Sequence, residues 1–162
     1  MNKIKKEHKI AIIYHSVHHK NTEKIAVAMA DVLDAKLLTA SEAKKHDLKD
    51  FELIGFGSGI YEADFHKTIL EVIEINNLKD KPVFIFSTSG VKQTNIMKNK
   101  FNRNIISTLS RKQAKILGSF SCRGWDSAGP LVRLIGGVNK GRPNKRDLQR
   151  AREFAQEIQK RA

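Results

Sequence analysis

Residues 10–23, Ile-Ala-Ile-Ile-Tyr-His-Ser-Val-His-His-Lys-Asn-Thr-Glu, hold the densest set of groups in this chain that could do chemistry. The apolar run Ile10 to Tyr14 stops in a polar stretch. That stretch carries hydroxyls (Ser16, Thr22), an amide (Asn21), a full positive charge (Lys20) and the imidazoles of His15, His18 and His19 around Val17. A helical pattern starts at once, with Ile25, Met29, Val32 and Leu33 on one face. Strand, polar loop and helix N-terminus form an anion site. The first helical turn has unpaired N–H groups and the positive end of the dipole, and hydroxyls and a lysine complete a phosphate cradle. An exposed strand-to-helix turn would also be polar, so both readings stand on this segment alone.

Other reactive side chains are weaker candidates. The loop histidines could bind a metal, but no cysteine or carboxylate stands nearby at ligand spacing, and a structural zinc needs four ligands. Donation to a bound phosphate, or simple exposure, suits them better. Cys122 has Arg123 beside it, which could lower a thiol pKa. A lone cysteine is more often buried and inert. Glu62, Asp64 and Asp126 have no nucleophile at useful spacing. There is no Gly-x-Ser-x-Gly elbow, no Walker A loop and no Gly-x-Gly-x-x-Gly; Gly57-Ser58-Gly59 is half of the last and suggests close backbone approach to a ligand.

The elements that must position these groups alternate along the chain. Further strands are expected at 35–38, 51–56, 83–86 and 115–120, and helices over about 22–34, 65–75, 94–113 and the C-terminal stretch. A brief helical turn at 41–46 would have Ser41 as its cap. Leu148, Ala151, Phe154, Ala155 and Ile158 make one apolar stripe, and Asn144 with Asp147 reads as its capping box. A Gly/Pro-rich loop spans Cys122 to Pro143. Alternating strands and helices argue a parallel α/β sheet with helices on both faces. Ligands of such sheets sit beyond the carboxyl ends of the strands at the switch point. Three candidate loops end there: His15–Thr22, Gly57–Asp64 and Ser87–Val91.

The 162 residues suit one domain over 1–162, with length for a sizeable core. No run approaches the ~18–20 apolar residues of a membrane span, and no secretory signal is visible. One cysteine excludes an internal disulfide and fits a reducing cytoplasm. The net charge is +13 and uneven. Lys92 to Lys115 holds seven basic residues and no acidic one; Lys140 to Arg161 holds eight basic and three acidic. Such a surface steers anionic partners.

Taken together, Tyr14–Glu23, Ile54-Gly55-Phe56-Gly57-Ser58-Gly59 and Phe86-Ser87-Thr88-Ser89-Gly90 resemble the flavodoxin family over nearly the whole chain. The resemblance implies a three-layer sandwich with a five-stranded parallel sheet in order 2-1-3-4-5, and FMN as cofactor. It implies that the first loop (Ser16, Val17, His18, His19, Lys20, Asn21, Thr22) holds the FMN phosphate. The second (Gly57, Ser58, Gly59, Ile60, Tyr61) and third (Ser87, Thr88, Ser89, Gly90) would hold the isoalloxazine ring. Tyr61 and Trp125 are the aromatics placed to lie against it, although Trp125 could instead plug its long loop into the core. Two departures stand out. The first loop is one residue longer than the usual Thr/Ser-x-Thr-Gly-x-Thr pattern, with Lys20 where glycine is common, at a cost if the backbone there is left-handed; and this chain is strongly basic, where the family's redox behaviour usually comes with an acidic surface.

Residues 122–126 with 136–143 look like the tail of a short flavodoxin-like subgroup. Phe65-His66 resembles the flavodoxin-like menaquinone-dependent protoporphyrinogen oxidases. The function implied is FMN-based electron transfer with a protein partner bearing an acidic docking face. An FMN oxidoreductase for a quinone or protoporphyrinogen is the alternative, with 125–138 as its lid. A cofactor-less basic binding protein is a third class, and nucleic acid is not the expected partner.

Overall fold

The computed structural model describes residues 9–17 and 19–162. His18 therefore lies outside the described residues. The chain folds as an α/β sandwich around a twisted parallel sheet. In order, the elements are β1 (Ile10–His15), α1 (Asn21–Leu33), β2 (Lys36–Thr39), α2 (Ala40–Ala43), β3 (Leu53–Tyr61), β4 (Asp64–Phe65), α3 (Lys67–Ile75), β5 (Pro82–Ser89), α4 (Asn95–Phe101), α5 (Arg103–Arg111), β6 (Lys115–Arg123), α6 (Pro130–Leu134) and α7 (Lys145–Arg161). The sheet order is β2-β1-β3-β5-β6, with all four neighbouring pairs parallel. The two-residue β4 folds back antiparallel on the end of β3. Setting β4 aside, this is the expected 2-1-3-4-5 order.

Side-chain alternation on the strands feeds two cores, one on each face. Ala11, Ile13, Ile54, Phe56, Val83 and Ile85 pack with α2, α3 and α5. Ile12, Leu53, Phe84, Phe86 and Phe120 pack with α1 and α7. On this second face glycine faces phenylalanine across strands: Gly55 is paired with Phe84 and Gly57 with Phe86. A Cβ on Gly57 would lie 2.0 Å from the Phe86 ring, and one on Gly55 2.4 Å from Phe84. These glycines make room for rings.

The structure also moves several boundaries. β3 runs through Gly57-Ser58-Gly59, and β5 runs through Ser87-Thr88-Ser89, where loops were expected. Their small residues sit inside the ladder, and the buried hydroxyls find partners there. The expected helix at 94–113 is two helices meeting at Asn102. Thr39, not Ser41, caps α2, through a capping box with Glu42. The Asn144–Asp147 capping box forms as expected at the head of α7.

Candidate functional site

The carboxyl ends of β1, β3 and β5 open into one cleft of about 930 Å³, toward the upper end of the usual range for small-molecule sites. From the first loop, Ser16, Val17, Asn21 and Thr22 line it. Thr22 is buried, and its Oγ1 lies 2.9 Å from Thr88 Oγ1, which ties the first turn of α1 to the end of β5. Each hydroxyl keeps hydrogen-bonding capacity beyond that contact. No side chain caps α1, whose N-cap is Lys20. The first-turn N–H groups are thus left to solvent or a ligand.

His19 and Lys20 do not line the cleft. Both have left-handed backbone, with φ 53° and 54°. Lys20 thus adopts the conformation for which a glycine is the unstrained choice. Its Nζ lies 3.6 Å from Glu23 and is well exposed, so it pairs on the outside of the loop. His19 stacks on the Trp125 indole at 3.7 Å between centroids, and its Nε2 lies 2.7 Å from Ser127 Oγ. One face of Trp125 is therefore taken from within the chain. Trp125 still lines the cleft, and its Nε1 donates to Gly136 O. Asn21 Nδ2 donates to Trp125 O at 2.7 Å, while Asn21 Oδ1 is buried without a partner.

From the second and third loops, Gly59, Ile60, Tyr61, Thr88, Ser89 and Gly90 line the cleft. Gly57, Ser58 and Ser87 stay within the sheet. Ser58 is fully buried; its hydroxyl donates to Gly59 O and accepts from His66 N–H at 3.0 Å. Ser87 lies under Gln93.

The chain matches the family model described as a flavodoxin domain over residues 11–123. It belongs to the flavodoxin family. An uncharacterized protein of Methanocaldococcus jannaschii is 40% identical over 152 residues, covering 94% of this chain and 99% of the relative. Among solved structures, oxidised flavodoxin 2 from Bacillus cereus aligns with a TM-score of 0.70 at 17% identity, over 95% of this chain and 99% of that one. A flavodoxin from the domain Archaea aligns with a TM-score of 0.64 at 14% identity, over 94% and 96%. A WrbA-like flavodoxin protein from Agrobacterium tumefaciens gives 0.64 at 19%, over 94% and 95%. At these identities the solved structures bear on the fold.

By family this is a flavodoxin-type, flavin-binding protein. The cleft of this flavodoxin fits such a group: a helix N-terminus without a side-chain cap, a buried amide oxygen without a partner, and adjacent hydroxyls. Residues that sequence reasoning left outside the site also line it, chiefly Lys67, Ala128 and His66. His66 caps α3 and stacks on His15, 3.7 Å between centroids and 10° from parallel, with Tyr61 edge-on to both. Burial, together with the neighbouring imidazole, lowers the His15 pKa; burial and then Lys67 lower that of His66. Burial raises the Tyr61 pKa against the opposing effect of the Val17 N–H. Only the Phe65-His66 pattern pointed this way in the sequence.

Glu62, Asp64 and Asp126 line the cleft as well. Asp64 accepts from Phe65 N–H and the Asn104 amide, and Asp126 from Ala128 N–H, so both have turn-forming roles. Cys122 is buried, and desolvation pushes its thiol up to about 12, so Arg123 does not activate it. Among the described residues no helix is long and apolar enough to cross a membrane, and no three His, Cys, Asp or Glu side chains gather as metal ligands.

Proposed function

We propose that this flavodoxin binds FMN in the 930 Å³ cleft and carries electrons to and from a protein partner with an acidic docking face. The observation that carries the reading is the meeting of three strand-end loops at an α1 N-terminus that no side chain caps. Bound there, FMN supplies the redox chemistry. Ser16, Asn21, Thr22 and the first-turn N–H groups of α1 hold its phosphate. The backbone at Gly59–Ile60 and Ser89–Gly90 holds the ring, and Tyr61 and Trp125 shield it from water. His19, Lys20, Gly57, Ser58 and Ser87 support the site from outside its lining. The acidic-partner assignment rests on the cations of 92–115 and 140–161. The whole chain, 1–162, acts as one domain in the reducing cytoplasm, which suits its buried free thiol.

Visible spectra of the purified protein, with and without added FMN, test the cofactor. A flavin spectrum, or one appearing on addition of FMN, is the expected result. A colourless protein that ignores FMN would sink the reading. A second reading, an oxidoreductase for a quinone, is favoured by His66, a titratable ring open to the same cleft. Steady-state turnover of a soluble quinone would select it. Rapid electron exchange with a ferredoxin, without such turnover, selects the carrier.

A further inference from the structure

A second cavity, of about 270 Å³, opens beside the first on the edge-strand side of the sheet. It lies between the end of β6, the segment after β5 and the start of α7. Five cationic side chains line it, Lys92, Lys98, Arg123, Arg142 and Arg150, against the single carboxylate of Asp147.

Asp147 is already committed. Both of its oxygens accept from Arg142 Nη1 at 2.8 Å, one also accepts from Asn144 N–H, and its side chain is 3% exposed. Arg142 and Asp147 are thus a self-neutralised pair. Asn144 and Asp147 also close the N-terminus of α7, so the helix end is satisfied from within. Lys92, Lys98, Arg123 and Arg150 form no ion pair among the described residues. Arg150 instead lies over the Phe120 ring, 5.7 Å from its centroid, an arrangement that orients the guanidinium.

Four uncompensated cations around one concave space repel one another, unlike the chain's exposed lysines that pair with carboxylates, such as Lys9 with Glu52. A ligand that neutralises several of them at once removes that repulsion. A single carboxylate leaves most of the charge unmatched. A diphosphate supplies several negative charges within a few bonds, and guanidinium groups match its oxygens in pairs. The volume is below the ~300 Å³ at which drug-sized sites begin, so it suits a head group. We infer that this cavity binds the diphosphate group of a small polyanion, whether free pyrophosphate or the diphosphate end of a nucleotide. The site stands apart from the flavin cleft and does not depend on FMN. The two adjoin at Ser89, which lines the cleft and accepts from Gln93 Nε2 at 3.0 Å, Gln93 being part of the cavity wall.

The test is an amide NMR titration of the full chain with inorganic pyrophosphate, then with ADP, at physiological salt. Saturating shifts at Lys92, Ser121 and Arg150 are expected. The double variant R123Q/R150Q should weaken the response by about tenfold or more, and T22V should leave it unchanged. Neither arginine holds an ion pair, so the double variant is expected to fold; K92Q/K98Q gives an independent check, with a smaller loss. Saturation by ADP at these residues identifies the nucleotide source, and saturation by pyrophosphate alone identifies the free anion. Shifts confined to residues 16–22, a diffuse response that never saturates, or wild-type affinity in both double variants would overturn the inference.

Discussion

The two hollows at the carboxyl edge of this sheet differ most in charge. The cleft at β1, β3 and β5 is walled by hydroxyls, glycines and rings, with three carboxylates (Glu62, Asp64, Asp126) and one lysine (Lys67). The smaller cavity at β6 and α7 is walled by five cations and one carboxylate. Most of the groups behind the net charge of +13 therefore lie outside the larger cleft, whose lining holds one lysine, Lys67. Exposed charges are screened beyond ~8–10 Å, so the three carboxylates in the lining act on the cleft at closer range than most of the chain's cations. A positive net charge by itself would favour the more negative reduced state of a bound flavin, and the carboxylates in the cleft lining oppose that field.

Four experiments test this contrast, beginning with the largest effect. R142M leaves Asp147 buried without its cation. Stability should fall by about 3 kcal/mol, read as a shift in the urea midpoint. An unchanged midpoint would mean that another cavity cation has taken Asp147, and that the remaining cations are not free. G57A comes next. Its Cβ meets the Phe86 ring, and overpacking should cost about 2 kcal/mol. If calorimetry instead shows wild-type stability with lost FMN affinity, this glycine serves the ligand rather than the core.

N21A removes the buried amide from the cleft alone. FMN affinity should drop about tenfold, near 1.4 kcal/mol, in a flavin-fluorescence titration, with the pyrophosphate response untouched. The smallest effect is in pH. Burial lowers the pKa of both His15 and His66 in the folded protein, so the unfolded chain binds more protons in acid. Their contribution is intact above about pH 6.5 and is lost as pH falls from there toward their lowered folded values. H66Q should flatten that part of the stability–pH curve; an unchanged slope would place the titration elsewhere.

Local signals in the sequence were legible. The apolar runs located every strand of the parallel sheet, and Asn144 with Asp147 announced a capping box that needs only four residues to form. Strand ends were not legible, because Ser58 and Thr88 look like loop residues until their buried partners are known: His66 N–H for one, Thr22 for the other. Those partners are tertiary. The same holds for the His15–His66 stack, which joins residues far apart in the chain. The basic runs could be counted, but only the turn into α7 brings Arg142 and Arg150 opposite Lys92 and Lys98. The first loop shows the opposite balance. Lys20 at a usual glycine position hinted at left-handed backbone, and both it and His19 have it.

That loop is stitched to the segment after β6 by the His19–Trp125 stack, the His19–Ser127 contact and the Asn21 bond to Trp125 O. These contacts couple the two segments that flank the cleft. Parting the two segments would break all three contacts together. S127A, which removes the contact to His19, should quicken FMN release in a stopped-flow chase while changing the equilibrium constant far less.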